Sequence, residues 1–141
     1  MGLRSFPVLY ASDVATVAAF YELLGFKEAY RFPPGTPDPG YIGLRRDRCD
    51  LGVASDESPR WLAGVRPGPG PRHELFVYVE DLDRMMSGLR RVSNVLREPA
   101  VMPWGERLAY LTDPEGNIVA LAEVGDKGSP PPAGGPDDLA A

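Results

Sequence analysis

The chain is poor in the side chains that most often carry reactive chemistry. Its 141 residues include one cysteine, Cys49, and one histidine, His73. A lone cysteine excludes an intramolecular disulfide. Free cysteine packs as a small apolar residue, so Cys49 is expected to be buried. No apolar run approaches the ~20 residues that cross a bilayer as a helix. The opening Met1-Gly2-Leu3-Arg4-Ser5-Phe6-Pro7 lacks the apolar core of a signal peptide, so a cytoplasmic protein with no membrane partner is expected. Lysine is nearly absent too: Lys27 and Lys127 stand among 15 basic residues, the rest arginine. A net charge of −5 without a basic stripe argues against a nucleic-acid partner. No nucleophile with a nearby base and no phosphate loop is visible.

What the chain does have is the same unit twice. Pro7-Val8-Leu9-Tyr10-Ala11-Ser12-Asp13 aligns with Leu75-Phe76-Val77-Tyr78-Val79-Glu80-Asp81 at an offset of 68 residues. After each Asp the apolar positions match as well. Val14, Val17, Ala18, Tyr21 and Leu24 correspond to Leu82, Met85, Met86, Leu89 and Val92, one face of a helix in both copies. Asp13 is an expected N-cap, and Gly25 an expected stop.

The remaining elements follow from turn chemistry. Strands are expected at Arg4 to Ala11 and Lys27 to Phe32. A Pro/Gly loop covers 33–40, and a hairpin of Tyr41 to Arg45 and Arg48 to Ala54 turns at Arg46-Asp47. A short helix from Ser58 to Val65 and a linker from Arg66 to Arg72 close the first half. The second half repeats the order: a strand at His73 to Val79, a helix from Asp81 to about Val92 and a strand at Val95 to Glu98. A hairpin follows, from Glu106 to Thr112 and Asn117 to Val124, turning at Asp113-Pro114-Glu115-Gly116. Each half is β-α-β-β-β. A single domain over 1–125 is expected, with repeats at 4–65 and 73–124. Gly, Pro, Asp and Ala dominate 126–141, which is expected to be a disordered tail.

A doubled βαβββ unit with these motifs resembles the vicinal oxygen chelate superfamily, which includes glyoxalase I, fosfomycin-modifying enzymes, ring-cleaving dioxygenases and bleomycin-resistance proteins. The likeness rests on Ala11-Ser12-Asp13, Phe20-Tyr21-Glu22-Leu23-Leu24-Gly25-Phe26 and Asp113-Pro114-Glu115-Gly116-Asn117, and spans residues 4 to 124. It implies an α+β fold in which two tandem modules form a cup-shaped mixed sheet with helices outside. Metal-dependent members place His, Gln or Glu at four equivalent positions in that cup. Those positions fall here at Phe6, at or near Leu51, and at Glu74 and Ala120. One carboxylate cannot hold a divalent ion that needs several N or O ligands, so no metal and no cofactor are expected. His73 adjoins Glu74 and, by strand alternation, faces the other way.

Alternation along each strand then gives the expected cup lining: Phe6, Val8 and Tyr10; Cys49, Leu51 and Val53; Glu74, Phe76 and Tyr78; Trp104, Glu106, Leu108 and Tyr110; Ile118, Ala120 and Ala122. The opposite faces, with Leu9, Ala11, Leu75, Val77 and Val79, already supply a core beneath the helices. A second apolar face rich in Tyr, Phe and Trp needs something to cover it, and these side chains bring polar handles suited to a wet pocket. Glu74 is the ionisable group expected deep in this set and the candidate acid or base; Glu106 is expected nearer the rim. Pro103-Trp104-Gly105 resembles the bleomycin-resistance subgroup, in which a Trp near this position lines the drug groove between the subunits of a homodimer. A homodimer is therefore expected, with Trp61 and the 66–72 loop near its interface. Three functions follow, in order of expectation. The first is metal-independent sequestration of an aromatic natural product, cationic or neutral. The second is a non-metal tailoring or ring-forming enzyme using Glu74. The third is a metal-dependent lyase or dioxygenase.

Overall fold

The repeat in the sequence is a repeat in three dimensions. A computed structural model describes residues 4–125; the tail expected to be disordered, 126–141, lies outside them. The described chain divides between Arg72 and His73 into two compact units. The first contains β1 (Val8–Ala11), α1 (Val14–Leu23), β2 (Lys27–Phe32), β3 (Tyr41–Arg46), β4 (Cys49–Ser55) and α2 (Ser58–Ala63). The second contains β5 (Glu74–Val79), α3 (Leu82–Leu89), β6 (Val95–Val101), β7 (Arg107–Thr112) and β8 (Ile118–Glu123). Each unit forms a four-stranded mixed sheet, in the orders β1-β4-β3-β2 and β5-β8-β7-β6. In both, the first strand pairs in parallel with the last and the other pairings are antiparallel. The fold is α+β, built from tandem modules.

Both main helices begin in the same way. Asp13 and Asp81 share φ −132° and ψ 97°. Their carboxylates accept from the amides of Thr16 and Arg84, each at 3.1 Å. An extended cap residue thus satisfies one of the amides that a helix start leaves without a partner. Hydrogen bonds from the Thr16 amide and then the Thr16 hydroxyl hold the Asp13 carboxyl below its ordinary range. A depressed folded pKa adds stability above the unfolded value, and that contribution fades as pH falls through the folded value. Asp13→Ala is therefore expected to lower stability at neutral pH, and its gap from the wild type to narrow as pH falls below the ordinary carboxylate range. Thermal unfolding from neutral to acid checks this; a gap that widens on acidification contradicts the capping role.

One face of each sheet is buried beneath its helix. Leu9, Ala11, Ile42 and Val53 meet Val17 and Tyr21 of α1, and Val77, Val79, Val119 and Leu121 belong to the corresponding core with Leu82 and Met86 of α3; all are at most 4% exposed. The ends of several elements differ from expectation. β1 begins at Val8, not Arg4, because Pro7 has no amide to donate, although its carbonyl accepts from Gly52 at 2.9 Å. α3 stops at Leu89. The amides of Val92 and Ser93 and the Ser93 hydroxyl all bond the Leu89 carbonyl, which turns the chain away and leaves Val92 exposed. β6 continues to Val101 through two register shifts, the second spanning Pro99. Proline is tolerated there because β6 is an edge strand and the shift removes the need for its amide.

The first hairpin brings the largest correction. Its turn lies at Asp47-Arg48, with Arg46 opposite Cys49, one residue later than expected. Asp47 takes φ 56°, a left-handed conformation that Asp tolerates better than most residues. Leu51 and Val53 lie in the core beneath α1, at 1% and 0% exposure, and not on the face assigned to the cup, because Val53 pairs with Leu9 of β1. Asp50, Gly52 and Ala54 take that face, because Val8 pairs with Gly52 and Tyr10 with Ala54. Cys49 shares the face of Leu51 but lies at the strand end beside the turn, so it is exposed rather than buried.

Candidate ligand-binding site

The second face of each sheet, away from its helix, carries the aromatic side chains. In the second unit, cross-strand partners build three rows: Tyr78–Ala122–Leu108–Ala100, Phe76–Ala120–Tyr110–Arg97 and Glu74–Ile118–Thr112. Leu108, Ala120 and Ala122 are fully buried and join Met102 in an apolar floor. Tyr78, Ala100, Trp104 and Tyr110 pack against that floor. The rings of Phe76 and Tyr78 lie 5.3 Å apart, tilted by 55°. The small side chains of β8 therefore hold the aromatic ones of β5 and β7 apart, and Leu108 and Ala120 lie beneath the lining.

The carboxylate held by the aromatic side chains of this face is Glu106, not Glu74. A tight turn joins β6 to β7: the Met102 amide donates to the Glu106 carbonyl at 2.7 Å, and the Gly105 amide to the Met102 carbonyl at 2.8 Å. Gly105 takes φ 100°, which a side chain would strain. The turn brings Trp104 back over Glu106, and its indole N–H donates to Glu106 Oε1 at 2.8 Å. From β5, the Tyr78 hydroxyl donates to Glu106 Oε2 at 2.5 Å. Burial, then the bond to Glu106 and the charge of that carboxylate, push the Tyr78 phenol far above its ordinary range, so it remains a donor. Glu74 points to the expected face but is exposed at the end of its row, not deep in the set. Its charge reinforces burial in raising the Tyr110 phenol.

The first unit uses the same face differently. Its rows are Tyr10–Ala54–Tyr41–Phe32, Val8–Gly52–Gly43–Tyr30 and Asp50–Arg45–Lys27. Phe6 lies before β1, 40% exposed, with the Arg4 guanidinium 5.4 Å from its ring centre. Tyr10 is half-buried. Tyr41, Gly52, Gly43 and Tyr30 are additions that alternation did not supply. The 68-residue offset held the signal, since it carries Ala120 onto Gly52 rather than Leu51. Tyr41 lies down on Gly52: a Cβ there would stand 2.6 Å from its hydroxyl oxygen and 3.0 Å from its ring. Gly52→Ala is expected to cost about 1–2 kcal/mol by overpacking. In a Tyr41→Ala background the same change is expected to be neutral, a coupling of at least ~0.5 kcal/mol in a double-mutant cycle of urea unfolding.

The donor set is too sparse for a metal. Of the family positions, Phe6 and Gly52 lie in the first unit, Glu74 and Ala120 in the second, and Glu74 alone brings an oxygen donor. Among the described residues no group of three or more His, Cys, Asp or Glu side chains could hold a metal ion. These residues do not fit a divalent cation.

The model of the Glyoxalase/Bleomycin resistance protein/Dioxygenase superfamily matches residues 5–121. The chain belongs to that superfamily. Solved structures share its fold. Hypothetical protein SA1046 from S. aureus superposes with a TM-score of 0.73 at 18% identity, covering 88% of this chain and 95% of its own. Lactoylglutathione lyase from Agrobacterium tumefaciens gives 0.65 at 20% identity, covering 89% and 97%. A bleomycin-binding protein complexed with bleomycin gives 0.58 at 23% identity, covering 88% and 100%. A comparison with curated protein sequences finds no match. At these identities the neighbours show the fold alone; superfamily members among them carry different functions on it. No helix among the described residues is long and apolar enough to cross a membrane.

Proposed function

We propose that this protein is a cytoplasmic, homodimeric binding protein that sequesters an aromatic natural product without a metal and without converting it. The observation that carries this reading is the second face of the second unit. There, Tyr78, Trp104 and Tyr110 pack against a buried apolar floor, Phe76 lies beside Tyr78, and a half-buried carboxylate is held by Tyr78 and Trp104. Aromatic side chains with polar tips around a dry base suit a flat, partly polar ligand. The bleomycin-binding neighbour supports the same class of activity. Glu74, the alternative acid or base, is exposed at the end of its row.

A thermal-shift panel of aromatic antibiotics including bleomycin tests the reading. A compound that binds only the folded state at 100 times its Kd adds about 2.7 kcal/mol of stability, a shift of several degrees. The bound compound is expected to be recovered unchanged, in protein stripped with chelator as in untreated protein. Turnover of the compound, or binding lost on chelation and restored by a divalent ion, overturns it. Sedimentation at micromolar concentration is expected to show a dimer.

A further inference from the structure

We propose that Glu106 is the charge reader of the aromatic face, selecting ligands that carry a cationic amidinium, guanidinium or ammonium group on their flat ring. This rests on the aromatic-ligand reading above and adds to it a charge preference and the residue that sets it.

Several other carboxylates of the fold are paired with arginine. Glu28, Asp50, Glu57, Asp83, Glu98 and Glu123 each form an ion pair with one. Glu106 does not: among the described residues no Arg, Lys or His lies within ion-pair distance of it. It is held only by neutral donors, the Tyr78 hydroxyl on one oxygen and the Trp104 indole on the other. Two neutral hydrogen bonds fix the carboxylate and offset part of its desolvation, but they leave its charge whole. Each carboxylate oxygen accepts about two hydrogen bonds. One site on each is used, so two acceptor sites remain for a fork of N–H donors.

The surroundings favour a cation further. The two residues that hold Glu106 are aromatic, and Phe76 packs beside Tyr78. A cation received by the carboxylate would lie close to these rings, where their electron-rich faces attract it. The apolar floor of Met102, Leu108, Ala120 and Ala122 lowers the local dielectric and strengthens the pair relative to one formed in water. Glu74, in contrast, is exposed, so its attraction for a ligand is screened by solvent.

Three probes on one ring system separate charge from stacking: 2-naphthamidine, 2-naphthamide and 2-naphthoate, titrated calorimetrically into the full chain. The wild type is expected to bind the amidine roughly tenfold more tightly than the amide, and the carboxylate most weakly. Glu106→Gln is expected to bring the amidine within about twofold of the amide while the amide changes little. Should that variant unfold, the combined Tyr78→Phe, Trp104→Phe and Glu106→Leu replacement removes both donors with the acceptor and strands no polar atom. It must show the same loss of preference, and the ratio of two probes cancels the altered stacking. Equal binding of amidine and amide by the wild type overturns the charge reader and leaves the aromatic site standing. Preference retained in Glu106→Gln, or abolished instead by Glu74→Gln, also overturns it. If none of the three probes binds, the aromatic-ligand reading falls with it.

Discussion

Asp113→Ala is expected to lower the unfolding free energy by about 3 kcal/mol, the largest single effect on stability anticipated in the second unit. Asp113 is 3% exposed and Asn117 1% exposed, at the turn between β7 and β8. The Asp113 carboxylate accepts from the amides of Glu115 and Asn117 at 2.8 and 2.9 Å. Its second oxygen faces the Asn117 side-chain amide at 3.4 Å. The backbone closes the same turn, with the Asp113 amide donating to the Asn117 carbonyl at 2.8 Å. Alanine removes the acceptor and leaves donors in a site that water reaches poorly, which costs more than the net value of the bonds. Asp113→Asn keeps one carbonyl oxygen for the two backbone amides and is expected to lose about 1 kcal/mol. Urea unfolding of both variants checks the order; an alanine variant as stable as the asparagine one would remove the carboxylate from the account.

The same turn matters for binding. It sets Thr112 opposite Ile118 and hence Tyr110 opposite Ala120. Slipping that register by one residue would send Tyr110 beneath α3 and replace it with Leu111 on the aromatic face. Stability and site geometry are thus linked through Asp113-Pro114-Glu115-Gly116-Asn117, a segment whose residue types alone announce a turn.

Much of the architecture was legible because each module states its punctuation twice. The two Asp caps, the helix faces behind them and the alternation in β5, β7 and β8 are local properties, and local properties survive into the fold. The faces of β5 and β8 in the second unit followed directly. The face of β4 did not, because the hairpin places Leu51 opposite Ile42 or Leu44 wherever its turn falls, and local alternation does not tell which face of that pair meets the helix. Deciding it takes the non-local pairing of Val8 with Gly52. The ranking of Glu74 over Glu106 failed for a related reason. Strand alternation tells which way a side chain points but not whether anything reaches it. The two donors on Glu106 come from a residue 28 positions away and from a turn folded back through Gly105.

Trp104→Ala is expected to weaken binding by roughly thirtyfold, about 2 kcal/mol, for the compound that emerges from the thermal-shift panel. The ring is half-buried against the Met102, Leu108, Ala120 and Ala122 floor, so its outer side is the natural contact for a flat ligand. Truncation removes that contact area and releases one of the two groups that hold Glu106. Trp104→Phe separates the two losses. It keeps a ring on the floor but has no N–H, so it is expected to retain most of the affinity for a neutral aromatic ligand. For a cationic one it is expected to give up more, because Glu106 then rests on Tyr78 alone. Fold integrity is followed by unfolding of each variant, since the ring also covers part of the floor. An affinity unchanged in Trp104→Ala would take this residue out of the binding surface. It would shift the search to the first unit, where Tyr30 and Phe32 are exposed and Tyr41 lies over Gly52.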